Sequence, residues 1–131
     1  MDETQQLKKG IEQLNTGQFY ACHDTLEEIW MEAPETEKKF YQGILQIAVG
    51  CYHLSNGNWR GAVILLGEGI RKLGEFEPSY YDLDIIGFTD DSYALLLALQ
   101  KIEPEGAKDF YQQLLEQGDI DGVKLPKIYA I

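Results

Sequence analysis

His23, Glu27 and Trp30 stand at i, i+4 and i+7, and Gln42, Gln46, Val49 and His53 repeat a similar spacing further along the chain. Residues four and seven apart share one face of an α-helix, so each set predicts a single stripe. An imidazole next to a carboxylate can move a proton as a general acid/base pair, or hold a cation. The first stripe runs beside a purely apolar one, made of Phe19, Cys22, Leu26 and Ile29. If a turn at Pro34-Glu35 joins the two helices as an antiparallel hairpin, residues whose numbers sum to about 69 face one another. Glu27 is then opposite Gln42 and His23 opposite Gln46, and four polar side chains meet inside an apolar hairpin.

Two readings of this quartet follow. In the first, buried polar groups must find partners, so His23, Glu27, Gln42 and Gln46 satisfy one another and set the helix register. In the second, His23 and Glu27 are the catalytic candidates of a site, with Trp30, Gln42, Gln46 and His53 as further ligand-binding candidates. Trp30 by itself reads as a core plug. Geometry argues against a closed zinc centre made from Cys22, Cys51, His23 and His53: Cys51 and His53 lie about 200° apart around one helix and cannot readily converge on one ion. His53 is expected opposite Thr16, roughly 10 Å of helix rise from His23. No metal ligand set and no cofactor are therefore expected. A phosphate-binding glycine loop, a nucleophile elbow and a paired-cysteine motif are all missing from the sequence.

Helices must position these residues. Glycine and proline punctuate periodic apolar segments, which predicts helices over 3 to 15, 18 to 32, 36 to 55, 59 to 74, 90 to 102 and 105 to 117, with no convincing strand. Thr16-Gly17, Ala33-Pro34, Asn56-Gly57 and Pro104 mark joints between them. Residues 76 to 89 carry Pro78, Tyr80, Tyr81, Leu83, Ile85, Ile86 and Phe88, and are read as a loop docked across the bundle. Leu14-Asn15-Thr16-Gly17-Gln18-Phe19 aligns with Leu54-Ser55-Asn56-Gly57-Asn58-Trp59 at an offset of forty residues, and Leu26 and Glu28 align with Leu66 and Glu68. A glycine closing one helix, then a polar and an aromatic residue opening the next, is the pattern of helix-turn-helix repeats of the tetratricopeptide kind. It predicts that the second, third and fourth helices pack as successive antiparallel neighbours.

The segment from Gly17 to Trp30 (GQFYACHDTLEEIW), Phe40 to Ala48 (FYQGILQIA), then His53 and Gly57 to Ala62 (GNWRGA), resembles the DUF309 family. The resemblance covers about residues 14 to 73, and the ordered combination of motifs is what carries it. That family consists of small helical proteins of unknown function, marked by a His-Glu-x-x-Glu-x-x-Trp style motif and a Gln-Gly-x-x-Gln helix. Asp24 departs from the pattern, standing where the family has Glu after the His. The resemblance implies a fold and a site around these motifs; it implies no reaction.

Composition bounds the remaining choices. The chain has 131 residues, 44% hydrophobic and 11% aromatic, which suits one globular domain over 1–131 with a core of its own. Eleven basic against twenty-two acidic residues give a net charge of −11, which repels nucleic acid and anionic membrane surfaces. Between Lys72 and Lys101 the acids Glu75, Glu77, Asp82, Asp84, Asp90 and Asp91 meet no base, as on a solvated face. Residues 40 to 59 hold no charged side chain, yet Gln42, Gln46, His53, Ser55, Asn56 and Asn58 interrupt them, as in a buried helix rather than a membrane span. The start of the chain lacks a secretory pattern, and Cys22 and Cys51 read as buried reduced thiols, so a cytoplasmic location is expected.

The sequence thus predicts an all-α compact bundle of about five to six helices around a tetratricopeptide-like antiparallel hairpin core. The expected function is a non-enzymatic helical binding or interaction module. Its partner or small ligand is unspecified, and it self-associates as a homodimer through residues 80 to 88 or the tail Leu125–Ile131. The alternative is a small metal-dependent or acid/base hydrolase using His23 and Glu27.

Overall fold

The computed structural model describes residues 2–131. Six helices dominate it: α1 (Glu3–Asn15), α2 (Phe19–Glu32), α3 (Glu35–Ser55), α4 (Trp59–Leu73), α5 (Ile85–Gln100) and α6 (Ala107–Gln117). Each of the first five packs chiefly on its neighbours in the chain, and α6 folds back onto α3. The expected all-α bundle is therefore the fold. Its centre is α3, where Ile44, Ile47, Ala48 and Cys51 are completely inaccessible.

The repeat in the sequence is a repeat of backbone geometry. After α1, the Gly17 N–H donates to the Leu14 carbonyl at 3.1 Å and the Gln18 N–H to the Gln13 carbonyl at 2.8 Å. After α3, Gly57 donates to Leu54 at 3.0 Å and Asn58 to His53 at 2.8 Å. These nested bonds satisfy the last carbonyls of each helix and require a left-handed residue, supplied by Gly17 (φ 79°) and Gly57 (φ 76°). The aromatic residue that follows opens the next helix in both cases. As Trp59 it also reaches across to α5, its indole N–H donating to the Leu99 carbonyl at 2.6 Å.

Glycines draw α3 and α4 together. A Cβ on Gly43 would lie 2.7 Å from Leu73 Cγ, and one on Gly50 would lie 3.1 Å from Leu66 Cγ. Numbers falling along α4 as they rise along α3 make the pair antiparallel, as the repeat predicts. The Gln-Gly-x-x-Gln pattern at Gln42-Gly43 thus has a packing reason: only a residue without a side chain fits the Leu73 contact.

Residues 76 to 89 differ from the expected loop. A 3-10 turn at Gly74–Phe76 leads into a two-residue strand β1 (Ser79–Tyr80), paired antiparallel with β2 (Leu83–Asp84), and α5 begins at Ile85, well before the expected 90. Asp84 sets this earlier start by accepting the Gly87 N–H at 2.9 Å as an N-cap. The apolar run Ile85-Ile86-Gly87-Phe88 therefore winds into the first turn. The segment is docked, as expected, with Phe76 packed edge to face on buried Phe40 and the Tyr80 ring tilted against it at 4.8 Å. Its acids serve the fold: Glu75 pairs with Lys39 at 2.9 Å and Glu77 accepts from the Thr89 hydroxyl.

The tail is taken up within the chain. Asn15 holds the backbone of Ile128 twice, donating to its carbonyl at 2.8 Å and accepting its N–H at 2.9 Å, while Ala130 bridges to Leu83. Ile128 is accordingly buried, while Tyr129 and Ile131 stay exposed. Among the described residues no helix is long and apolar enough to cross a membrane.

Candidate functional site

The stripe on α2 forms as its spacing requires, and it gathers a cluster that includes one residue beyond the expected pair. His23 Nε2 lies 3.4 Å from Glu27 Oε2, one turn away, and Nδ1 lies 3.3 Å from Asp24 Oδ1. One ligand atom from each of His23, Asp24 and Glu27 falls within 4.8 Å of the other two. Asp24 was legible only as a departure from the family pattern. Its shorter side chain reaches the ring nitrogen beside it and leaves Nε2 to Glu27.

Beyond the imidazole is a hollow of about 150 Å³ between α2 and α3, lined by Tyr20, His23, Val49, Tyr52 and His53. Tyr20 lies 5.8 Å from the His23 ring and meets Tyr52 edge to face at 5.3 Å, and Tyr52 lies 6.3 Å from His53. The two histidines therefore line one hollow. The tyrosine rings fill the level between them. Neither tyrosine was recognised from the sequence: the three-residue spacing from Tyr20 to His23 is a signal that could have found the first, but nothing in the sequence shows that Tyr52 turns towards it.

The expected quartet does not assemble. Gln46 turns away from His23 towards α4, where its Oε1 accepts from Lys72 Nζ at 3.0 Å. The physical reason is the demand of Lys72: its side chain is only 15% exposed, and Glu68 at 3.5 Å is its other acceptor. Gln42 is half-buried and makes no side-chain hydrogen bond to His23 or Glu27 among the described residues. Trp30 packs against the edge of the core, with Lys38 Nζ 5.2 Å above its ring, and stands apart from the hollow. His53 Nδ1 lies 3.4 Å from the Asn58 amide, which also caps α4.

The two thiols play no part in this cluster. Cys22 and Cys51 are inaccessible, and burial pushes both up to about 12, so they stay protonated. What remains is an imidazole held by two carboxylates at the rim of an aromatic hollow. This arrangement can grip a cation through His23, Asp24 and Glu27, or seat a small apolar group against the Tyr20–Tyr52 pair.

Residues 7–65 match the family described as "Domain of unknown function (DUF309)". This match spans 59 of the 131 residues, a little under half of the chain. The DUF309 segment holds the whole His23 cluster and the hollow, while the hairpin, α5 and α6 lie outside it. The chain is also similar to the uncharacterized protein YpuF of Bacillus subtilis (strain 168), 35% identical over 71 residues, which are 53% of this chain and 41% of that protein. An uncharacterized protein of Aquifex aeolicus (strain VF5) is 37% identical over 57 residues, 43% of this chain and 17% of its own length. The matches thus span less than half the length of either relative. No solved structure matches the chain.

Proposed function

We propose that the DUF309 segment is a non-enzymatic interaction module of a cytoplasmic protein, and that it receives an apolar side chain of a partner in the hollow lined by Tyr20, Val49 and Tyr52. The observation that carries this reading is the lining itself. Five side chains from two helices form an almost wholly apolar wall, and Tyr20 stays 57% exposed at its edge. Aromatic side chains around a shallow depression are the usual anchors of a protein contact. The net charge of −11 supports a protein or small-molecule partner over nucleic acid or an anionic membrane. The test is photo-crosslinking in cells from benzoylphenylalanine placed at Tyr20, in the wild-type background and in Val49→Trp, which fills the hollow. One defined adduct that Val49→Trp abolishes supports the module, and an adduct with the same chain identifies a homodimer. A diffuse set of adducts that Val49→Trp leaves unchanged rejects the module.

A second reading, a small metal-dependent or acid/base hydrolase, rests on the convergence of His23, Asp24 and Glu27 within 4.8 Å. Metal analysis of the purified protein separates the two. Stoichiometric metal that is lost in His23→Ala, with nitrophenyl-ester or phosphate hydrolysis lost in Glu27→Gln, favours the enzyme.

A further inference from the structure

The hollow beside His23 is one end of a longer exposed stripe. Tyr20, Asp24, Glu27 and Met31 recur at i, i+4, i+7 and i+11 along α2, so they lie on one face of it. All four are exposed, Tyr20 by 57% and Met31 by 63%, while α1 and α3 pack on other faces of the helix. The order along the stripe is apolar, acidic, acidic, apolar, over about 16 Å of helix rise.

From Phe19 to Glu32 the helix holds four acids, Asp24, Glu27, Glu28 and Glu32, and neither lysine nor arginine. His23 meets one oxygen of Asp24 at 3.3 Å and one of Glu27 at 3.4 Å. Among the described residues, their second oxygens, Asp24 Oδ2 and Glu27 Oε1, have no hydrogen-bond or ion-pair partner. The bases of the adjoining helices are engaged elsewhere or stand off. Lys38 pairs with Glu35 at 3.6 Å, Lys39 with Glu75 at 2.9 Å, and Arg71 and Lys72 with Glu68. Among the described residues, Lys8 and Lys9 of α1 and Arg60 of α4 lie within ion-pair distance of no acid on α2. Two carboxylates exposed between apolar ends attract a cationic surface and repel an acidic one.

We infer that the partner of this face is a basic amphipathic helix of another protein, laid along α2; the inference rests on the reading of the hollow as the seat of a partner side chain. One apolar residue of that helix enters the hollow beside Tyr20, and a second rests on Met31. Lysine or arginine side chains between them meet the free oxygens of Asp24 and Glu27. The spacing of the stripe is the reason for a helix: rows at i, i+4, i+7 and i+11 on two helices match each other level by level. The net charge of −11 favours the same sign of partner from a distance.

The test is selection of displayed peptides of about 18 residues, long enough to form a helix, from a library on an alanine-rich scaffold randomised at i, i+4, i+7 and i+11. Selection uses the whole chain, with counter-selection against Val49→Trp, which fills the hollow, and against Tyr20→Ala, which removes its exposed edge. The amide spectra of both variants must keep the wild-type pattern. The expected peptides carry apolar residues at the two outer positions and lysine or arginine at the two inner ones. Their synthetic forms should bind at least about fivefold more weakly to the double variant Asp24→Asn, Glu27→Gln and in added salt. Peptides that Val49→Trp and Tyr20→Ala reject, but whose inner positions are neutral or acidic or whose binding the double variant leaves unchanged, would overturn the basic helix and leave the hollow as a partner site. If no peptide distinguishes wild type from the two hollow variants, both readings fall.

Discussion

Gly43 and Gly69 meet backbone to backbone across the α3–α4 interface: a Cβ on Gly69 would lie 2.7 Å from the Gly43 carbonyl oxygen and 2.6 Å from Ile47 Cγ1. Neither neighbour can swing aside as the end of a flexible side chain could. Gly69→Ala should therefore force the two helices apart and cost about 1–3 kcal/mol, more than the small gain in helix propensity returns. Urea denaturation measures it, and a variant as stable as wild type would show that the helices slide freely.

Ile47 is inaccessible at the centre of α3. Ile47→Ala should cost about 2–5 kcal/mol through lost burial and the cavity left behind. The check is the shift in the denaturation midpoint at unchanged slope, and a loss well below this range would mean that the surrounding helices collapse into the space.

Gln46 and Glu27 separate scaffold from site. Gln46→Leu leaves the half-buried Lys72 amine with Glu68 as its one remaining acceptor, and should cost about 1 kcal/mol. Glu27, half-exposed at the rim of the hollow, should tolerate change to Gln within about 0.5 kcal/mol. Thermal unfolding of both variants decides the matter: an unstable Glu27→Gln beside a stable Gln46→Leu would reverse the assignment.

Asn15→Ala removes both hydrogen bonds to the Ile128 backbone and should release the tail. A loss of about 1–3 kcal/mol is expected, because the buried Ile128 amide and carbonyl lose their partner. Amide exchange at Ile128 should quicken ahead of that in α3; unchanged protection would show that Ala130 and Leu83 hold the tail without Asn15.

Alkaline pH should destabilise the fold. Burial pushes the Cys22 and Cys51 thiols up to about 12, from an ordinary 9.0, and raises Tyr41 and Tyr111 as well. The unfolded chain then releases its thiol protons at lower pH than the native one. Stability is complete below about 9 and is lost as pH rises towards about 12. Urea midpoints at about pH 8 and about pH 10.5 should fall accordingly, and Cys22→Ala with Cys51→Ala should flatten the profile in part. Rapid modification of either native thiol by a water-soluble reagent at about pH 8 would contradict their burial.

Local rules were enough for much of this architecture. The glycines at 17 and 57, each followed by a polar and an aromatic residue, determined two identical helix corners, because a left-handed C-terminal residue is a property of a few neighbouring residues. The four-residue spacing of His23 and Glu27 likewise determined that they meet, since both lie on one helix. Asp84 as the cap of α5 was a local signal too, hidden because Pro78 and the tyrosines made the whole segment read as loop. Contacts between helices were decided elsewhere. A hairpin register predicts which levels of two helices face each other, but not how each helix is rotated about its own axis. That rotation depends on all its neighbours at once. For α3 the glycine contacts with α4 and the amine of Lys72 drew Gln46 one way, and Tyr20 drew Tyr52 and His53 the other. The polar quartet therefore gave way to an aromatic hollow that only the packed structure could show.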